Sequence, residues 1–266
     1  MQFPPSPALS GIVKHYLVVE RATGTRLNYR LFSDGNPGIV FHFGDPLIQE
    51  GGVAQPRSFV YGQISRYNDL LSGGRLGMLV VVLQPYGLYS LLRMAAHELN
   101  DGFLQLSDLF GQEAVDLEEQ VMNGRSVQGR IRSVEGWLLK RGAVSREPDP
   151  ILKEALQFIY DSRGVVRIED LIKRVLVTER QLERKFKEYI GTGPKKMADI
   201  IKFQHFLKRL QQHPSDAKIS DIIYDGGYYD PAHLNNYFKR MAGITPGQYK
   251  TNPYLLAVNF MQVPGG

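Results

Sequence analysis

Along the first ~85 residues apolar positions either alternate with polar ones or merge into short unbroken runs, the patterns of half-buried and fully buried strands. Gly11 to Glu20 (GIVKHYLVVE), Arg26 to Phe32, Gly38 to Phe43, Ser58 to Tyr61 and Leu76 to Leu83 are rich in β-branched and aromatic residues and bounded by Gly, Pro, Asn and Asp. That pattern predicts strands in a small antiparallel sandwich or barrel. The pairs Gly51-Gly52 and Gly73-Gly74 read as hairpin turns. After Gln84-Pro85 the period changes: Tyr86 to Met94, Glu113 to Met122 and Arg130 to Arg141 have helical spacing. The first half is therefore expected to be an α+β domain.

Arg141 to Pro150 (RGAVSREPDP) is polar, holds two prolines and interrupts the periodicity, so it predicts a linker between two independently folding halves, 1–145 and 146–266. Beyond it every strong pattern is helical. Ile151, Leu152, Ala155, Leu156 and Ile159 form the stripe of a packing helix. Two segments then repeat one plan. Ile168, Leu171 and Ile172 precede Ile219, Ile222 and Ile223 by 51 positions, and after the turn Leu182, Phe186, Lys187, Gly191 and Pro194 precede Leu234, Phe238, Lys239, Gly243 and Pro246 by 52. Each segment is a helix, a turn and a helix. In the first, over 168–190, Thr178 and Gln181 form a capping box for the second helix. In the second, over 219–242, Asp225-Gly226-Gly227 breaks the first helix and Asp230-Pro231 starts the next, with Pro231 at a position where a missing amide costs nothing. Pro194 opens a connecting helix of about Lys195 to Gln211.

These residues carry a resemblance. The paired units, with Gly227-Tyr228-Tyr229-Asp230-Pro231, Phe238-Lys239-Arg240 and Gly243-Ile244-Thr245-Pro246-Gly247-Gln248-Tyr249-Lys250, resemble the AraC/XylS family of bacterial transcription regulators over the last ~100 residues. The resemblance implies an all-α DNA-binding domain whose two recognition helices, 178–190 and 230–242, enter successive major grooves. It also implies a cupin-like sensor domain in the first half. The partners it implies are double-stranded DNA, a small-molecule effector, RNA polymerase and a second copy of the chain. Two departures stand out: the family's units carry alanine where this chain has Ile172 and Ile223, and glycine where it has Leu176. A bulkier side chain at a tight helix crossing forces repacking. A degenerate pair of units acting as a protein–protein module is the competing expectation.

In both units the outer face is polar. Arg180, Glu183, Arg184 and Lys187 oppose Leu182 and Phe186, while Ala232, Asn235, Asn236, Lys239 and Arg240 oppose Leu234 and Phe238. Arginine pairs with guanine O6 and N7, asparagine with adenine N6 and N7, and glutamate accepts from cytosine N4. Lys187, Lys239 and Arg240 are the candidates for phosphate. Charge supports this placement: of the net +5, residues 151–266 hold 18 Lys+Arg against 12 Asp+Glu, and residues 1–150 hold 14 against 15. A basic half attracts the phosphate backbone by counterion release.

The remaining composition excludes more than it adds. Without cysteine there is no disulfide, thiolate chemistry or Cys-ligated zinc. Neither a membrane-length apolar run nor a signal peptide is read in the sequence, so a soluble, cytoplasmic protein is expected. A metal-binding cupin needs several converging N/O ligands, but Phe41-His42-Phe43 offers one histidine, and His15 and His97 stand alone. Neither a nucleophile elbow nor a phosphate loop is present. No enzyme, metal or cofactor is expected. An effector pocket, if the strands enclose one, is expected to be lined by Tyr16, Tyr29, Phe41, Phe43 and Tyr61.

Overall fold

The computed structural model describes residues 1–142, 149–212 and 231–263. The first half contributes nine strands: β1 (Gln2–Phe3), β2 (Val13–Ala22), β3 (Leu27–Leu31), β4 (Gly38–His42), β5 (Ile48–Gln49), β6 (Ser58–Tyr61), β7 (Asn68–Ser72), β8 (Arg75–Leu83) and β9 (Phe103–Gln105). It also holds helices α1 (Gly87–Leu92), α2 (Leu106–Phe110), α3 (Gln112–Met122) and α4 (Val127–Lys140). Helices α5 (Pro150–Asp161), α6 (Ile168–Val175), α7 (Glu179–Ile190), α8 (Pro194–Gln212), α9 (Pro231–Ala242) and α10 (Pro246–Lys250) follow. The chain then returns to β structure in β10 (Leu255–Ala257) and β11 (Phe260–Val263).

One sheet runs β1-β2-β8-β4-β6-β9 and the other β10-β11-β3-β7-β5, with all pairings antiparallel. The first is covered on both faces. Tyr16, Val18, Ile39, Phe41, Val60, Leu79 and Val81 point toward α2 to α4, where Leu117, Val134 and Trp137 complete a core. Their neighbours Leu17, Val19, Val40, Phe59, Met78, Val80 and Val82 point toward the second sheet. Strands buried on two faces read as apolar runs, which is why β2, β4 and β8 were visible as unbroken segments.

Gly73-Gly74 is a sheet-to-sheet corner rather than a hairpin turn. Strand β7 pairs with β3 and β5, whereas β8 pairs with β2 and β4. Gly74 has φ +123°, a conformation that L side chains rarely adopt.

The helical half forms two cores. Leu152, Leu156, Ile159, Leu171, Leu182, Phe186, Ile190 and Met197 build one around the first unit. Phe203, Phe206, Leu207, Leu234, Phe238 and Tyr249 build the other around the second, together with Phe32 from the first half and Met261 from the last strand. The expected division at 145/146 is therefore not the division of the cores or the sheets. Most of the expected linker, the first helix of the second unit with Ile219, Ile222 and Ile223, and Asp230 lie outside the described residues.

Candidate nucleic-acid interface and ligand cavity

Helix α7 forms where the sequence signals it. Thr178 accepts from the Gln181 amide while the Gln181 side chain accepts from the Thr178 amide. Leu182, Phe186 and Ile190 are buried, and Gly191 ends the helix at φ +92°. That leaves Arg180, Arg184 and Lys187 exposed and Glu183 half-buried. Together with His97 and Glu188 they line a shallow groove. Helix α9 repeats the arrangement: Leu234, Tyr237, Phe238 and Met241 are buried, and Ala232, Asn235, Asn236, Lys239 and Arg240 are exposed. The Arg240 guanidinium lies 5.0 Å from the Tyr237 ring centroid, which holds it over the last turn of the helix. All nine candidate contacts thus sit on the outer faces of these two helices.

The departures from the family pattern have visible consequences. Ile172 is half-buried against the first unit's core. Leu176 ends α6 in the left-handed region at φ +53°, its amide donating to Ile172 O, and is 88% exposed. Glycine adopts that backbone without cost and leucine does not.

Both recognition helices are held at their C-terminal ends by the first half. Asn100 Nδ2 donates to Gly191 O at 2.6 Å, His97 Nδ1 lies 3.3 Å from Lys187 O, and the Tyr89 and Tyr189 rings stack at 4.1 Å. On α9, Arg30 Nη1 donates to Ala242 O at 3.3 Å while pairing with Asp69 at 2.6 Å and lying 4.2 Å from the Tyr67 ring. A cation there also complements the negative end of the helix dipole. Nothing in the local sequence marks Asn100 or Arg30, because a long-range cap has no short spacing to read.

A cavity of about 460 Å³ opens between the sheets and reaches the helical half. Leu17, Val40, Phe59, Leu70, Val80 and Val82 form its apolar interior. Lys14, His15, Arg163 and Lys208 line it with Asp34 and Asp101, so its fixed cations outnumber its carboxylates. Burial lowers the Lys14 pKa, Asp34 opposes that shift and Lys208 adds to it; burial likewise lowers those of His15 and His205. A buried ammonium of this kind favours a bound counter-charge.

Of the five aromatics expected to line a pocket, Tyr61 does. Tyr29 sits in the core between the sheets without lining the cavity. Tyr16, Phe41 and Phe43 belong to the opposite face: the Tyr16 hydroxyl donates to Glu135 of α4 at 3.2 Å, Phe41 packs in the helical core, and the Arg130 guanidinium lies 4.0 Å from the Phe43 ring. The reason is the period of two along a strand. Tyr16 and Leu17 face opposite ways, and a doubly buried strand does not reveal which face has a void. His42 does line the cavity. Its Nε2 lies 3.1 Å from Gln55 Oε1, its Nδ1 has no partner, and burial lowers its pKa to about 4, so the ring is neutral. Among the described residues no three His, Cys, Asp or Glu side chains are placed to hold a metal ion, and no helix is long and apolar enough to cross a membrane.

Two family models match this chain: a domain of unknown function (DUF6597) over residues 1–105 and a helix-turn-helix domain over residues 171–252. The HTH-type transcriptional regulator GlxA of Rhizobium meliloti is 39% identical over 74 residues, 28% of this chain and 22% of the relative. A putative AraC-like transcription regulator of Streptomyces antibioticus is 27% identical over 122 residues, 46% of this chain and 38% of the relative. The chain thus spans well under half the length of these curated relatives. In fold it is similar to ToxT of Vibrio cholerae, with TM-score 0.50 and 13% identity over 88% of this chain and 97% of that one. A ToxT structure bound to (E)-4-(8-methylnaphthalen-1-yl)but-3-enoic acid matches at the same TM-score, identity and coverage. Both relatives are named as transcription regulators. With two units on one plan, a matching helix-turn-helix model and AraC-like relatives over the same segment, residues 171–252 carry a helix-turn-helix domain similar to that of AraC-like transcription regulators.

Proposed function

We propose that the protein is a sequence-specific DNA-binding transcription regulator that reads two successive major grooves with α7 and α9. The observation that carries this is the repeated design of those helices: matched apolar residues anchor each one, and a polar face points outward from both. Arg180 and Arg184 on α7 and Asn235 and Asn236 on α9 are the base readers, with Glu183 beside the arginines and Ala232 near the start of α9 offering a methyl contact. Lys187, Lys239 and Arg240 take phosphates. Helix α8 has 19 residues and rises about 28 Å. With flanking turns that suits half-sites ~34 Å apart on one face of the duplex.

The first half takes a small effector in the cavity between the sheets. The chemistry of the lining favours a mostly apolar molecule with an anionic group, the group lying toward Lys14 and Lys208. ToxT, which shares the fold, is seen with an arylbutenoic acid. Action on RNA polymerase, pairing with a second copy and a cytoplasmic location complete the reading.

Selection of bound sequences from a random duplex pool tests it. The expected result is a bipartite motif whose parts lie about 10 base pairs apart, bound with an affinity that falls steeply with salt. Recovery of unselected sequence at low salt would refute the reading.

A further inference from the structure

The last described segment of the chain leaves the helical half and becomes part of the first half's second sheet. In register, Phe260 faces Leu31, Met261 faces Arg30, Gln262 faces Tyr29 and Val263 faces Asn28. The Phe32 amide donates to Asn259 O and the Asn259 side chain donates to Phe32 O, both at 3.0 Å. Arg21 Nη1 donates to Gln262 at 3.0 Å. Side chains of this tail enter both cores it joins: Phe260 packs between the sheets, 5.4 Å from Tyr29, and Met261 packs in the second unit's core. The Tyr249 hydroxyl, at the end of the second unit, donates to Val258 O at 2.8 Å and accepts from Gln211 of α8 at 2.7 Å. Ala257, Val258, Asn259 and Phe260 also line the cavity.

We propose that this tail is a latch made by β-strand addition, and that closing it completes the effector site. The inference rests on the effector reading given above. Strand addition supplies main-chain pairing to an otherwise open sheet edge, here β3. One short segment thereby ties α8, the second unit and the sensor sheet to the wall of a single cavity. A ligand touching that wall binds the latched form more tightly than the unlatched one, and by linkage latching strengthens its binding by the same factor. The sensor half alone, lacking this wall, is an incomplete site.

The full chain has no cysteine, so an engineered pair reports on the latch without interference. Residues paired across antiparallel strands lie ~4.5–5.5 Å apart, within the range of a disulfide. The double variant Asn28→Cys/Val263→Cys joins the tail to β3. Mild oxidation of the native protein is expected to close one intramolecular bond in each chain. Pyrenebutyrate, an aromatic carboxylate followed by fluorescence, is then expected to leave the oxidised form at least five-fold more slowly than the reduced one. A chain ending at Tyr254 is expected to bind it at least ten-fold more weakly than the full chain, and if that chain fails to fold the disulfide comparison stands without it. Failure of the bond to close within one native chain, or its forming only between chains, overturns the latch. Equal release from oxidised and reduced forms overturns its coupling to the cavity. If the bond closes but pyrenebutyrate binds neither form, the effector reading fails and takes the coupling with it, while the tail's place on the sheet is upheld.

Discussion

The two helix-turn-helix units carry the same apolar frame at offsets of 51 and 52 residues, but the residues that close their cores come from different places. Around Leu182 and Phe186 the first unit gathers side chains of α5 to α8, and the first half touches this core at its border through Tyr86 and through Tyr89 against Tyr189. Around Leu234 and Phe238 the second unit gathers α8 to α10, then admits Phe32 and Met261 at full burial. Phe32 makes edge-on contacts with Phe203 and Tyr249, at 6.0 and 6.4 Å. One unit rests against the first half and the other is partly built from it. The cavity and the second unit are connected by a short path, through Ser33, whose carbonyl accepts from Gln204 of α8 at 2.7 Å, and through the tail.

The sharpest way to break that comparison is to empty the shared core. Phe32→Ala removes a fully buried aromatic and is expected to cost about 3–5 kcal/mol. Loss of amide-exchange protection should concentrate in α8 to α10 and the two sheets, leaving α5 to α7 nearer their parent values. Equal loss in both units would show that they share one cooperative core after all. The same reasoning applies to a fragment beginning at residue 149: its first unit keeps a complete core and its second does not, contrary to the independence that the linker implies.

A second test asks whether the two outer faces read bases alike. Arg184→Ala and Asn235→Ala leave the buried frames untouched, and each is expected to lose about 1–3 kcal/mol of discrimination at one or two base pairs, about a helical turn apart. Lys239→Ala should instead weaken all sequences equally and lower the salt slope by about one. If selection with Asn235→Ala returns an unchanged motif, α9 does not read through this face.

Smaller effects are expected at the clasps. Asn100→Ala frees the C-terminal end of α7, and Arg30→Ala frees that of α9. Asn100→Ala loses one hydrogen bond worth about 1 kcal/mol, and Arg30→Ala loses its bond to Ala242 O together with the pairing to Asp69 and the Tyr67 contact. Base preference should persist, while tolerance for altered spacing between half-sites should widen, as binding to a series of duplexes with inserted base pairs would reveal. Unchanged spacing preference would assign the orientation of the helices to α8 alone.

The pattern that made α7 and α9 legible is local: a cap, a period of 3.6 and a terminating glycine all lie within one segment. The same holds for the strands of the first sheet, whose two buried faces left continuous apolar runs. Phe32 ended a strand run without any sign that it would leave its own sheet's core. The tail was missed differently, since LLAVNFMQV at 255–263 follows Asn252-Pro253 and has the composition of a strand. Its partner lies more than two hundred residues away, and a helical context hid the change of period. The cavity lining was hidden by parity, because a residue and its neighbour on a doubly buried strand look equally apolar.

The smallest expected effect tests the turn in which the units differ most plainly. Leu176 occupies the left-handed backbone region with its side chain 88% exposed, and 51 positions later the sequence has Gly227. A leucine held there carries a strain of about 1–2 kcal/mol, and little burial offsets it. Glycine removes the strain but gives the unfolded chain more freedom, which takes back about 0.5–1 kcal/mol. Leu176→Gly is therefore expected to stabilise the protein by about 0.5–1 kcal/mol. For a protein of this size that raises the unfolding midpoint by about 2 °C, measurable by calorimetry. Because Leu176 precedes Thr178, the cap of α7, the same variant reports on function: unchanged affinity for the selected duplex means that the first unit tolerates its leucine. A fall in stability would mean that the exposed side chain contributes more than its backbone strain takes away, and that the first turn is built differently from the glycine turn the second unit's sequence specifies.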